Sequence, residues 1–294
     1  MKTRKLWLGL GAAALTSTIP NHIPQAEASP AALDAATAST LCRAPSQVIR
    51  VADGHAHGAD VKAGAGGEGG EGSAAQMDAD ARLDPMVRFY RDVQLVRGHI
   101  RVGNELIKAG LWTEALPHFL HPVEELYDKL APHIKVLKLK PFKQQLNALA
   151  QTVKAKNAPA YDEALKALEG RLASVDSGMK AETKNWMPFV VQTALETMRS
   201  AIGEYEESIE DGKFAKAVEY QDSRGFVFQG ESLLQSVGPD LAAKYPQDSA
   251  AALAAIATLK SGWPAPLPPA APVLDVASVK AAVSKIELAL GSVK

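Results

Sequence analysis

The stretch DPMVRFYRDVQLVRGHI, residues 84–100, determines the fold class of this chain. Asp84 is a favourable helix N-cap and a proline is preferred at the first helical position, so a helix is expected to begin at this pair. Apolar residues then recur at the spacing of one helix face, at Met86, Phe89, Val93, Val96 and Ile100. The pattern predicts a long amphipathic helix that ends near Gly110.

The same periodicity continues through most of the remaining chain. It predicts a second helix from Trp112, capped by Thr113 and bent at Pro122, and glycine-marked turns at Gly110 and Gly212. Further helices are predicted over residues 141–156, 159–175, 188–211, 213–237, 249–259 and 275–290. The fourth of these is expected to stop at Gly238-Pro239. No stretch shows convincing strand alternation. The predicted fold class is therefore all-α, an antiparallel helical bundle built from long helical hairpins.

Composition and charge exclude several classes of protein. The chain has 32 basic and 33 acidic residues and a net charge of −1, whereas a nucleic-acid-binding domain should show a basic excess. Its single cysteine, Cys42, excludes a disulfide framework within the chain and a Cys-rich zinc module. The sequence shows no G-x-S-x-G, P-loop or H-E-x-x-H motif, so an enzymatic role is not favoured.

The N-terminal residues resemble a secretory signal peptide. A basic start precedes the apolar run Leu6–Leu15, and an A-x-A-like site ends at Ala28. The apolar run is well short of the roughly 20 residues that a membrane-spanning helix needs. We therefore expect cleavage near Ala28, a periplasmic location and no transmembrane segment in the mature chain.

Composition divides the mature chain into four predicted regions. Residues 29–82 are rich in alanine and glycine, with eight glycines between Gly54 and Gly72, and are predicted to be a flexible segment. The helical bundle domain is predicted over 83–262. Five prolines mark residues 263–273 as a linker, and residues 274–294 are predicted to form a C-terminal helix.

The densest polar cluster lies on the predicted second helix. His118, His121 and Glu125 are spaced i, i+3 and i+7, which places them along one face, and Glu124 follows His121 by three. His99 lies eleven residues before Gly110 and His121 eleven after it, so an antiparallel hairpin brings them level. Imidazole and carboxylate ligands together suit iron, zinc or copper. The alternative is that these side chains satisfy backbone groups or face solvent.

A second polar cluster flanks Gly212. Glu207 lies five residues before this glycine and Glu219 seven after it, and Asp222 follows Glu219 at i+3. These carboxylates are predicted to complete a mixed histidine and carboxylate metal site. The alternative is a structural salt-bridge network in which Arg224 pairs with Asp222 or Glu219.

These residues resemble a known family. The segment from His121 to Tyr127 is similar to the His-x-x-Glu motif of imelysin-like proteins, although Phe119 occupies the position of the usual preceding glycine. Residues 204–207 and 219–226 resemble acidic segments of that family's later helices. The resemblance implies an exported protein of paired four-helix bundles, associated with bacterial iron uptake, with His121 and Glu124 as metal ligands. A peptidase activity has also been attached to that family, but no motif in this sequence supports one.

Two functional hypotheses remain open from the sequence. The leading one is an exported metal-binding protein in iron or other metal acquisition, whose partners are the metal ion and another periplasmic or membrane uptake component. The competing one is a non-catalytic interaction module without a metal site. A metal-dependent hydrolase ranks last, because no general base is distinct from the candidate ligands.

Overall fold

Asp84 caps the first long helix in the computed structural model of the chain. Its carboxylate accepts hydrogen bonds from the backbone N–H groups of Met86 (2.8 Å) and Val87 (3.3 Å). Helix α1 then covers Pro85–Lys108 and buries its apolar face in the core. Gly110 follows in the left-handed region, with φ of 81°, where a residue without a Cβ is unstrained.

The structure describes residues 82–294, and the all-α prediction is confirmed for them. A two-residue antiparallel hairpin around Gly212 pairs β1 (Ile209–Glu210) with β2 (Lys213–Phe214). The predicted signal peptide, the glycine-rich segment up to residue 81 and Cys42 lie outside the described residues. The elements after α1 are α2 (Trp112–Ala115), α3 (Pro117–His121), a π-helical turn (Pro122–Leu126), α4 (Tyr127–Val136), α5 (Lys143–Lys154), α6 (Ala158–Glu182), α7 (Trp186–Glu207), α8 (Ala217–Ser236), α9 (Gly238–Lys244), α10 (Pro246–Lys260) and α11 (Val276–Leu290).

Several helix boundaries differ from those predicted. The predicted second helix is broken into α2, α3, the π-helical turn and α4. Thr113 is not its N-cap, because α2 begins at Trp112 and Thr113 therefore lies inside the helix. Helix α8 begins at Ala217 rather than Lys213, since Lys213 pairs in the β-hairpin. The Gly238-Pro239 pair ends α8 as predicted but also begins α9, which the sequence analysis missed, because proline is well tolerated in the first turn of a helix.

The long helices pack around α7 and α8. These two helices form an extended antiparallel pair, and α1 packs against both of them. On the other side, α11 contacts α7 and α10, while α5 and α6 pair with each other. Among residues 82–294, none of the helices combines the length and apolarity that a membrane crossing requires.

Helices α1 and α8 touch backbone to backbone at one point. A methyl group on Gly225 would lie 2.3 Å from the carbonyl oxygen of Gly98, and one on Gly98 would lie 2.5 Å from the Phe226 ring. Real Cβ contacts are much longer, so these positions require glycine. The contact brings His99, next to Gly98, within reach of Asp222, one turn before Gly225.

The proline-rich stretch 263–273 is held against the bundle by buried side chains. The Trp263 indole is buried, and its Nε1–H donates to Ser223 Oγ at 2.6 Å. The hydroxyl of Tyr220 donates to the carbonyl oxygen of Ala265 (2.9 Å), and that of Tyr205 to the carbonyl oxygen of Leu274 (2.6 Å). The chain between α10 and α11 therefore follows a defined path over α7 and α8.

Candidate metal centre

Asp222 lies at the centre of a cluster of three histidines. Its Oδ1 accepts hydrogen bonds from the Nδ1 atoms of His99 (2.6 Å) and His118 (2.7 Å), and its Oδ2 accepts one from His121 Nδ1 (3.1 Å). The carboxylate is 2% exposed, and the imidazoles of His99 and His118 are 5% and 0% exposed. One carboxylate thus gathers three rings in the protein interior.

The four side chains come from three different helices. His99 is on α1, His118 and His121 are on α3, and Asp222 is on α8. Helix α3 is only five residues long and lies between Pro117 at its start and the π-helical turn that begins at Pro122. Single π-helical turns are frequent at functional sites, because they redirect the side chains next to them.

The electrostatics of the cluster favour an ionised Asp222. Burial alone would raise the pKa of this carboxyl, but the neighbouring His99 and His118 rings and the hydrogen bonds that it accepts hold the pKa well below its usual range. His118 is bonded on both nitrogens, since its Nε2 lies 2.8 Å from Gln221 Oε1. An amide oxygen only accepts, so His118 Nε2 donates to Gln221 in this hydrogen bond.

His121 is the histidine of the cluster that reaches solvent, with a side chain 24% exposed. Its burial disfavours the charged ring, but the hydrogen bond to Asp222 and the charges of Asp222, Glu125 and Glu219 outweigh that effect. Together they raise the pKa of His121 to about 9. At neutral pH this ring therefore carries a proton that an incoming metal ion must displace.

Further carboxylates surround the solvent side of the cluster. Burial, together with repulsion from Asp222 and Glu219, raises the pKa of Glu204 well above its usual value. Burial and the charge of Asp222 also raise the pKa of Glu219. Glu125 and Glu207 lie close enough to Glu204 to contribute to its shift. A cation bound here would be attracted by those of these carboxylates that are ionised, and would favour the ionised form of the others.

The structure therefore brings together most of the candidate residues named from the sequence. His99, His118, His121 and Asp222 are in direct contact, and Glu125, Glu207 and Glu219 surround them. Glu124 is exposed on the π-helical turn, and no contact joins it to the cluster. Their role as metal ligands remains a prediction.

One residue of the site, Gln221, was missed as a candidate, and one alternative pairing was wrong. Gln221 adjoins Asp222 in sequence, and Glu204, which pairs with Glu207 at i, i+3 in the sequence, also lies at the site. Arg224 does not pair with Asp222 or Glu219. Its Nε donates to Glu105 Oε2 at 2.8 Å and its guanidinium also bonds the Trp263 carbonyl, because it leaves α8 on another face.

The donor atoms have nearly the spacing of a metal centre. His99, His118 and Asp222 each offer a ligand atom, and all of these atoms lie within 4.8 Å of one another. In a tetrahedral site with bonds of about 2.0–2.1 Å, neighbouring ligand atoms are about 3.3 Å apart. The hydrogen-bonded atoms would have to separate by about 0.7 Å from their present 2.6 and 2.7 Å, a shift that small side-chain rotations supply.

Comparison with known proteins finds a similarity in the C-terminal part of the chain. Residues 180–293 match the profile of the iron permease-associated 4-helix bundle domain. This range holds α7 to α11, and it includes Asp222 but none of the three histidines. The match contradicts the imelysin-like assignment, which is wrong: a short His-x-x-Glu pattern on one helix is too local to define a family. No curated protein and no solved structure matches the chain.

Proposed function

We propose that this chain is an exported metal-binding protein of an iron-uptake system, and that it binds a divalent first-row ion at the cluster around Asp222. The observation that carries the proposal is the convergence of three imidazoles, two of them buried, on one buried carboxylate that lies about 100 residues or more away in sequence. Buried charge is costly unless it is paired. A cluster of three histidines around a buried carboxylate is therefore expected to serve a function beyond packing.

The donor chemistry selects the class of ion. Imidazole nitrogen suits iron, zinc and copper, whereas calcium and magnesium prefer sites made of oxygen alone. Asp222 and the surrounding glutamates supply the negative charge that a divalent ion needs. Loading of the site exchanges ring protons for the metal ion, so the charge in the interior changes less than the charge of the ion itself.

The match of residues 180–293 to an iron permease-associated domain supports iron as the cargo. The basic and apolar N-terminal residues with the Ala28 site support export. The proposed partner is a membrane component of the same uptake system, to which the protein would deliver its ion.

A second candidate function is an interaction module in which the cluster is purely structural. It is favoured by one observation, namely that each of the three histidines has Asp222 as a hydrogen-bond partner. Metal titration separates the two functions, because a purely structural cluster would bind no ion stoichiometrically.

Replacing His121 with alanine is expected to lower zinc or anaerobic iron(II) affinity at least about tenfold, about 1.4 kcal/mol, because one ligand is lost. The fold should survive, since this side chain is partly exposed and alanine is the better helix former. The measurement is calorimetric titration of the full chain with circular dichroism on the same samples.

The matched control is His133→Ala on α4. His133 stacks on Phe89 with 5.5 Å between ring centroids, and Phe89 lies ten residues, or about 15 Å along the helix, before His99. This variant should keep wild-type affinity. Equal affinities in the two variants would contradict the proposed site.

Metal affinity should rise with pH below the pKa of His121. The apo ring is protonated below about pH 9, so the ion competes with a proton. Each displaced proton makes the apparent affinity rise about tenfold per pH unit, over a range such as about pH 6 to 8. His121→Ala should reduce the slope of log affinity against pH by one proton. A pH-independent wild-type affinity would show that no protonated ring is displaced.

A further inference from the structure

Gln221 is buried beside the cluster and contacts the ring nitrogen of His118 that Asp222 leaves free. The residue is 2% exposed, and its Oε1 lies 2.8 Å from His118 Nε2. The His118 ring is itself fully buried between Gln221 and Asp222. Both of these partners are neighbours on α8, so one helical turn holds the ring from two sides.

The hydrogen bond decides which nitrogen of His118 is available to a metal ion. Because the amide oxygen can only accept, Nε2 must carry a hydrogen and donate it. A nitrogen that carries hydrogen has no lone pair for coordination. Only Nδ1 remains. This atom lies 2.7 Å from Asp222 Oδ1, and a bound ion would displace the proton that it shares with this oxygen.

We infer that Gln221 is a positioning residue of the metal centre, which fixes His118 as an Nδ1 ligand. The inference rests on the proposed metal-binding function and deepens it by assigning the coordinating atom of one ligand. An acceptor on the far nitrogen orients a ligating imidazole and makes it more basic, and loss of such a partner typically costs about 10–100-fold in metal affinity.

The structure offers a matched control on the same helix. Gln229, two turns after Gln221, is another buried glutamine of α8, and its Nε2 donates to Gln94 Oε1 at 2.8 Å rather than to a histidine. Substitution of Gln229 therefore removes a buried amide from the same interface between α1 and α8 without touching the cluster.

The experiment measures zinc affinity of the full chain by competition with a chromophoric chelator. Gln221→Leu is expected to weaken binding about 10–100-fold, Gln221→Glu to retain it because the acceptor remains, and Gln229→Leu to stay near the wild-type value. Gln221→Asn withdraws the amide by one methylene and should also weaken binding, which gives a second test if the leucine variant does not fold. In zinc-loaded wild type, long-range ¹H–¹⁵N spectra should show His118 protonated at Nε2 and metallated at Nδ1.

Two results would overturn the inference while leaving the proposed function intact. One is tight zinc binding by Gln221→Leu and Gln221→Asn at the wild-type level. The other is a zinc-loaded His118 that coordinates through Nε2. Failure of the wild-type chain to bind zinc or iron(II) would instead refute the proposed function, and the inference about Gln221 with it.

Discussion

Replacing Asp222 with asparagine is expected to abolish tight metal binding and to lower the free energy of unfolding of the apo protein by about 3–5 kcal/mol. The carboxylate accepts hydrogen bonds from three histidines, and its burial means that no solvent replaces it. Asparagine keeps the shape but removes the negative charge, which leaves the protonated His121 ring without its counter-ion. Chemical denaturation at neutral pH in the presence of a chelator, together with metal titration, measures both effects.

Asp176→Asn is the control for this substitution. Asp176 accepts hydrogen bonds from the hydroxyl of Tyr90 (2.9 Å) and the guanidinium of Arg97 (2.6 Å), but its side chain is 38% exposed and lies outside the cluster. Because solvent screens this pair, the loss of stability should be smaller, about 1 kcal/mol or less, and metal binding should be unchanged. If Asp222→Asn bound metal as tightly as the wild type, the carboxylate would not be part of the site.

Replacing Gly225 with alanine is expected to cost about 1–3 kcal/mol of stability and to weaken metal binding at least about tenfold. The new methyl group would lie 2.3 Å from the Gly98 carbonyl oxygen and 2.8 Å from its carbon. Both are backbone atoms that cannot rotate away, so α1 and α8 must separate. His99 and Asp222 sit on either side of this contact and would separate with the helices. Thermal unfolding and zinc titration test the two effects.

Gly203→Ala provides the opposite expectation on a neighbouring helix. Gly203 lies within α7, and nothing approaches within 4 Å of where its Cβ would be. Alanine should therefore raise stability by about 0.5–1 kcal/mol through the lower conformational entropy of the unfolded chain, with no change in metal affinity. A Gly225→Ala protein that behaved like Gly203→Ala would show that α1 and α8 can accommodate the added methyl group without separating.

The fold was predictable where the deciding interactions are local. The Asp84 cap, the apolar spacing of α1 and the glycine turn at Gly110 depend on residues a few positions apart, and all three can be identified in the sequence. The breaks in the second helix were only partly visible. Pro122 indicates a bend, but its π-helical form depends on how the segment packs against α1 and α5. Likewise, Lys213 looks helical until the hairpin with β1 is taken into account.

The site was predictable to the extent that hairpin geometry could bring helices level. Counting from Gly110 placed His99 near His121, and their ring centroids are 5.5 Å apart. The sequence could not show that Asp222 is the common partner, because it is 101 residues from His121 and its position depends on the contact between Gly98 and Gly225. The local His-x-x-Glu spacing placed Glu124, which is exposed, ahead of Asp222 among the candidate ligands.

The boundary of the matched domain runs through the candidate metal centre. The domain over 180–293 contributes the carboxylate, whereas α1 and α3, which precede it, contribute every imidazole. The candidate ligands thus come from two segments of the chain, which recombination or gene truncation can separate. A relative that keeps only the C-terminal bundle would inherit the carboxylates without the nitrogen ligands, a donor set that suits harder, oxygen-loving cations better than iron or zinc.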